Sequence, residues 1–356
     1  MRKAPFKDIY YGFIKFIKRE PLYMGLLAFI ILINLLTLIP SEKRDAIKKM
    51  PKRMTKAEEF IDNRAQIERV IAEDPKKATA VSMVVATLAL VLFAGLMLDF
   101  VILMLRSEKR KILERTHKTP KVKWDIWDAV KVLILFFFYA YIVAILALLI
   151  LPLFPKVGAT DRIVSILNTT ILDLIGIGCV FYFVIYRYKH KIKDLGLSMK
   201  NFFKNISYGF MGYLAVLPLL FVTLLITALI LSLLKRAPEP QPIFDLFLSE
   251  DKMPVLAYLS IFVAIAGPVL EEIFFRGFLY TAIKKKTGIK WAILISAFIF
   301  SFLHAHLAGF VPIMILGVFL AYLYEKTGSL VVPMTVHVTH NLIMVFLMFL
   351  VKRLAV

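Results

Sequence analysis

Long apolar runs separated by short charged connections make up most of this chain. About twenty predominantly apolar residues cross a bilayer's hydrocarbon core as a helix. Nine runs approach that length: Leu22 to Pro40, Ala78 to Leu105, Ala129 to Phe154, Val164 to Tyr186, Ser207 to Leu234, Pro254 to Ile283, Trp291 to Leu307, Phe310 to Tyr324 and Leu330 to Val351. The seventh and eighth are short, as in a tight hairpin. The runs are continuous rather than alternating, which argues against a membrane β-barrel. The pattern predicts an all-α, polytopic membrane protein with about eight to nine transmembrane helices.

Ahead of the first run, Ile9, Tyr10, Phe13, Ile14 and Ile17 recur at helical spacing among Lys7, Lys15, Lys18 and Arg19. That is the pattern of a basic helix lying on the membrane surface. Its spread charges and lack of a small-residue site do not fit a cleavable signal. Ser41 to Lys77 is a charged insert with helical character, and the Pro-rich stretch from Ala237 to Pro242 reads as a linker. Residues 1–186 thus hold the surface helix, four spans and the 41–77 insert, and 187–356 form a second region.

Composition sharpens the picture. The 356 residues are 60% hydrophobic and 20% charged, with a mean hydropathy of +0.78. Soluble domains are less apolar and more charged, which excludes a cytosolic enzyme. The net charge of +20 is the mark of cytoplasmic loops and attraction to anionic lipid, not of nucleic-acid binding. Alternate connections carry 25 Lys and Arg on one side and 18 on the other, and 11 of those 18 lie in the acid-rich insert. The bias predicts a multi-pass protein of the cell membrane with its N-terminus in the cytoplasm. The single cysteine, Cys179, allows no internal disulfide.

Ionisable side chains inside spans are costly and usually face an interior or a cavity. They concentrate near the C-terminus: Glu271, Glu272 and Arg276 in the sixth run, His304 and His306 in the seventh, and His337, His340 and Asn341 in the ninth. Glu272 and Arg276 stand four residues apart and can pair on one helix face. Glu271 points about 100° away, so it is the carboxylate assigned to chemistry. His337 and Asn341 share a face by the same spacing, and Pro268 removes a backbone donor and favours a kink. At roughly 1.5 Å per residue, Glu271, His304, His337 and Asn341 lie at overlapping depths and can converge. A carboxylate and a histidine can hold and deprotonate a water. A neutral His and an Asn amide can receive charge developing on a carbonyl oxygen. These are the parts for peptide-bond hydrolysis. A Glu with histidines could also ligate zinc, but the His-Glu-x-x-His signature is missing and no metal is required. Asp99 and Asp173 are isolated acids for which local hydrogen bonding or snorkelling suffices.

At these residues the sequence resembles the CPBP family of intramembrane proteases, which includes CAAX prenyl endopeptidases and bacterial bacteriocin-processing or immunity proteins. Glu271, Glu272 and Arg276 match its Glu-Glu-x-x-x-Arg motif, Phe300 and His304 its Phe-x-x-x-His motif, and His337 and Asn341 its His-x-x-x-Asn motif. Asp194-Leu195-Gly196-Leu197 looks like the family's entry segment. Three motifs in order, each on a span, are fairly specific together. The likeness covers roughly Asp194 to Val351 and leaves the first four spans unexplained. It implies a CPBP-like catalytic bundle in residues 187–356. It also implies an endopeptidase in which Glu271 and His304 activate water, His337 and Asn341 form the oxyanion site, and Glu272 and Arg276 are supporting. The implied partner is a membrane peptide or protein substrate, prenylated or not, with no obligatory cofactor. Two other readings stay open: a non-catalytic binding or immunity protein of the same family, and an ion or proton transporter. The latter is weakened by the lack of repeat symmetry.

Overall fold

The computed structural model describes residues 5–38, 73–118, 121–150, 161–235, 241–304 and 306–355. Among them every regular secondary-structure element is helical. Residues 41–72 of the insert and 236–240 of the Pro-rich stretch lie outside the described residues. The helices are α1 (Pro5–Arg19), α2 (Pro21–Leu38), α3 (Pro75–Ser107), α4 (Ile126–Ile150), α5 (Asp161–Phe181), α6 (Phe202–Leu233), α7 (Pro242–Ser249), α8 (Met253–Ile261), α9 (Gly267–Glu272), α10 (Thr281–Thr287), α11 (Ile289–Leu303), α12 (Phe310–Thr327) and α13 (Val331–Ala355). Widened π-helical turns continue α5 over Tyr182–Arg187, and join α8 to α9 over Phe262–Ala266 and α9 to α10 over Ile273–Tyr280.

Among the described residues seven helices are long and apolar enough to cross a membrane, or eight if the bent pair Tyr10–Arg19 and Pro21–Leu36 is one span. The pair bends by 97°, as expected of a surface helix feeding a span. The seventh run is the exception. It ends at Leu303 as a 15-residue helix, about 22 Å long and shorter than a hydrocarbon core.

The described residues fall into two compact units. The first draws on Met1–Met54, Lys121–Ile192 and Thr281–Gly288. In it the buried Phe16 stacks on Trp127, ring centres 5.3 Å apart, and Lys131 reaches Glu20 at 2.6 Å. Tyr188 donates to the buried Asp128 at 2.6 Å. Lys131 also stands 3.9 Å from Asp128, so the cost of its charge within α4 is met by two acids. On α1, Tyr10, Tyr11, Phe13 and Ile17 remain exposed, as a lipid-facing surface requires.

The second unit draws on Thr55–Pro120, Lys193–Tyr280 and Ile289–Val356 and contains the polar cluster. Tyr213, Val216 and Leu220 of α6 interlock with Leu316, Leu320 and Leu323 of α12 and Val332 and Val336 of α13. Lipid tails are as apolar as leucine, so such helices associate through close packing rather than through exclusion of water. The segment Asp194 to Leu197 clasps the α12–α13 connection. Leu330 donates its backbone N–H to Gly196 at 3.0 Å, and Tyr324 donates to the Leu195 carbonyl at 3.0 Å. Gly196 has φ of +92°, and a Cβ there would stand 2.8 Å from the Gly328 oxygen. Only glycine takes that conformation and that approach without strain.

Candidate active site

Glu272 and Arg276 are both buried, and Arg276 Nη1 donates to Glu272 Oε1 at 2.7 Å. The guanidinium also donates through Nη2 to the Gly317 carbonyl at 3.3 Å and lies 4.4 Å from the Phe300 ring centre. A buried charge is tolerated when it is paired and hydrogen-bonded, and the ring adds cation–π attraction. The pair does more than staple its own helix. Glu272 Oε1 also lies 2.9 Å from His337 Nδ1 on α13, so Arg276 and His337 both donate to one carboxylate oxygen.

Glu271 faces the other way. Its Oε2 lies 3.8 Å from His337 Nε2 and 4.0 Å from His304 Nε2. The Glu271 and His304 side chains are each 32% exposed, whereas His337 is 4% exposed. The cluster thus opens at Glu271 and His304 and is closed behind His337.

Both imidazoles are held from their far side. At the end of α11, the His304 backbone N–H turns to Ser301 O, and His304 Nδ1 takes the Phe300 carbonyl at 2.7 Å. A carbonyl only accepts, so the His304 proton resides on Nδ1 and Nε2 is a bare base. The same logic puts the His337 proton on Nδ1, toward Glu272. A neutral His337 held in this way offers no N–H at Nε2. Phe300 packs edge-on against both rings, at 4.6 Å from His304 and 5.7 Å from His337. The Phe of the Phe-x-x-x-His pattern thus orients the two histidines.

Asn341, one turn beyond His337, donates through Nδ2 to the Val263 carbonyl at 2.8 Å. Sequence spacing did not reveal this bond, because it depends on the π-helical turn over Phe262–Ala266. Pro268 follows that turn, and Met253–Thr287 runs on as one span. His306 accepts from the Gly309 backbone N–H at 2.9 Å in the α11–α12 turn. His340 packs near Tyr213, ring centres 6.1 Å apart. Both stand in supporting places.

Glu271 with two imidazoles is a donor set of the kind zinc accepts. Among the described residues, however, no group of three His, Cys, Asp or Glu side chains is arranged to hold a metal ion. As placed, these side chains do not form a metal cage.

Comparison with known proteins bears on the same segment. Residues 253–343 match the family model described as Type II CAAX prenyl endopeptidase Rce1-like. That segment contains Glu271, Glu272, Arg276, Phe300, His304, His337 and Asn341. A curated relative, "Putative membrane peptidase YdiL" of Bacillus subtilis (strain 168), is 32% identical over 113 residues, which is 32% of this chain and 44% of the relative. The match thus spans less than half the relative's length. No solved structure matches. The apolar helices mark a multi-pass membrane protein, within which residues 253–343 are similar to Rce1-like endopeptidases.

Proposed function

We propose that this protein is an intramembrane endopeptidase whose Rce1-like segment hydrolyses peptide bonds with a water activated by Glu271 and His304. The observation that carries this reading is the approach of Glu271 Oε2 to two imidazole nitrogens at 3.8 and 4.0 Å. Those separations suit a water hydrogen-bonded to Glu271 and one ring. As the water oxygen attacks the carbonyl carbon, its proton passes to the Glu271–His304 pair. The pair returns it to the leaving amine as the C–N bond breaks. The oxyanion is received by the second N–H of Asn341 and by His337 as an imidazolium, with Glu272 behind it to balance the charge. The chemistry needs no metal.

The substrate under this reading is a membrane peptide or protein, lipidated or not. It approaches the open side of the cluster from the lipid or from the cytoplasm. The Lys and Arg bias supports a cell-membrane location with a cytoplasmic N-terminus, and the basic α1 suits anionic lipid. Glu271→Ala should abolish cleavage of a membrane-tethered reporter peptide while the protein still melts cooperatively in detergent. Undiminished cleavage by that variant would refute the assignment.

A further inference from the structure

The Val263 carbonyl is bonded by a side chain from another helix, and the backbone explains why. In an α-helix its donor would be the Gly267 N–H. That N–H goes instead to Phe262 O, five residues back, in the π-helical register. In that register the donor for Val263 O would be residue 268, and residue 268 is proline, which has no N–H. Both in-helix donors are therefore lost at one carbonyl. An unanswered carbonyl in a membrane interior carries a desolvation penalty. Asn341 Nδ2 supplies the missing donor at 2.8 Å.

We infer that Pro268 is a positioning residue for Asn341. By emptying the Val263 carbonyl of backbone donors, it creates the anchor that fixes the Asn341 amide. A primary amide carries two N–H donors. Anchoring one on Val263 directs the other and holds the amide plane relative to His337 one turn earlier. The π turn and the proline act as a pair: the turn moves the expected donor from residue 267 to residue 268, and the proline removes it. The role of Asn341 in the reaction rests on the proposed function above, but its anchoring by Pro268 does not.

The two are separated by a double-mutant cycle read both by thermal melting in detergent and by cleavage of the tethered reporter. Asn341→Ala leaves the carbonyl bare and should lower the Tm. Pro268→Ala restores a backbone N–H in reach of Val263 O. It should raise the Tm several degrees more in the Asn341→Ala background than in the native one, a coupling that the cycle isolates. Equal effects of Pro268→Ala in both backgrounds would overturn the inference. Cleavage is the second arm. If the stabilised double variant stays more than tenfold deficient, Asn341 acts in the reaction as well as in the anchor. If it recovers full cleavage, the anchor stands and the oxyanion role of Asn341 is refuted. In Pro268→Ala alone, a loosened amide should lower kcat per folded molecule while the Tm does not fall, a combination that a merely folding role would not produce.

Discussion

His337 Nδ1 and Glu272 Oε1, 2.9 Å apart, set the direction in which the whole polar centre faces. The carboxylate accepts there, so the imidazole turns its other nitrogen toward Glu271. His304 is turned the same way by the Phe300 carbonyl. Two bare nitrogens and a carboxylate oxygen then meet, and all three are acceptors. Nitrogen-15 NMR of histidine-labelled protein should find both neutral rings protonated on Nδ1. With an analogue of the tetrahedral intermediate bound, it should also find a second N–H on His337. A bare Nε2 of His337 in that complex would contradict the proposed oxyanion site.

The Glu272–Arg276 pair carries a separate expectation. Arg276 is 1% exposed and Glu272 is fully buried. Replacing Arg276 by Met keeps most of the volume and removes the cation. Breaking one side of such a buried pair leaves an uncompensated charge and costs about 3–5 kcal/mol. Arg276→Met should therefore melt far below the native protein in detergent, or fail to accumulate. Arg276→Lys should recover only part of the loss, because an ammonium cannot reach Glu272 and Gly317 as the fork does. A Tm within a degree or two of native for Arg276→Met would show that the pair is not structural.

Much of this centre was legible in the chain because helical spacing and depth are geometric facts. A spacing of four from Glu272 to Arg276 places them on one face, and the separation found is 2.7 Å. Rise per residue put Glu271, His304 and His337 at similar depths, and the three are found together. What spacing missed depends on departures from the regular helix or on contacts between helices. The Asn341–Val263 bond needs a π register, which no apolar period announces; Pro268 was the only signal, and it read as a kink. The Glu272–His337 bond crosses from one helix to another. It decides which imidazole nitrogen carries the proton, a matter of partner rather than of sequence. The run from Trp291 to Leu307 looked continuous, yet its helix stops at Leu303, where His304 leaves the helical ladder for its bond to Phe300.

Gly317 links packing to the same centre. Its carbonyl accepts from Arg276, and a Cβ on it would stand 3.2 Å from Ala297 Cα, Ala297 Cβ and Phe300 Cδ1. Those atoms belong to α11 where it crosses α12, and backbone atoms there cannot swing aside like the end of a long side chain. Phe300 would have to give, and it is the ring against which both imidazoles rest. Overpacking of this kind typically costs about 1–3 kcal/mol. Gly317→Ala should lower the Tm modestly and reduce reporter cleavage more than the stability loss explains. Gly178 on α5 supplies the contrast, because a Cβ there meets nothing within 4 Å. Gly178→Ala should leave cleavage unchanged and raise stability by about 0.5–1 kcal/mol through the lower entropy cost of ordering alanine in a helix. Melting curves and cleavage rates for the two variants, measured side by side, test whether the tight crossing at Gly317 positions Phe300. Native-like cleavage by Gly317→Ala would remove that ring from the chain of cause.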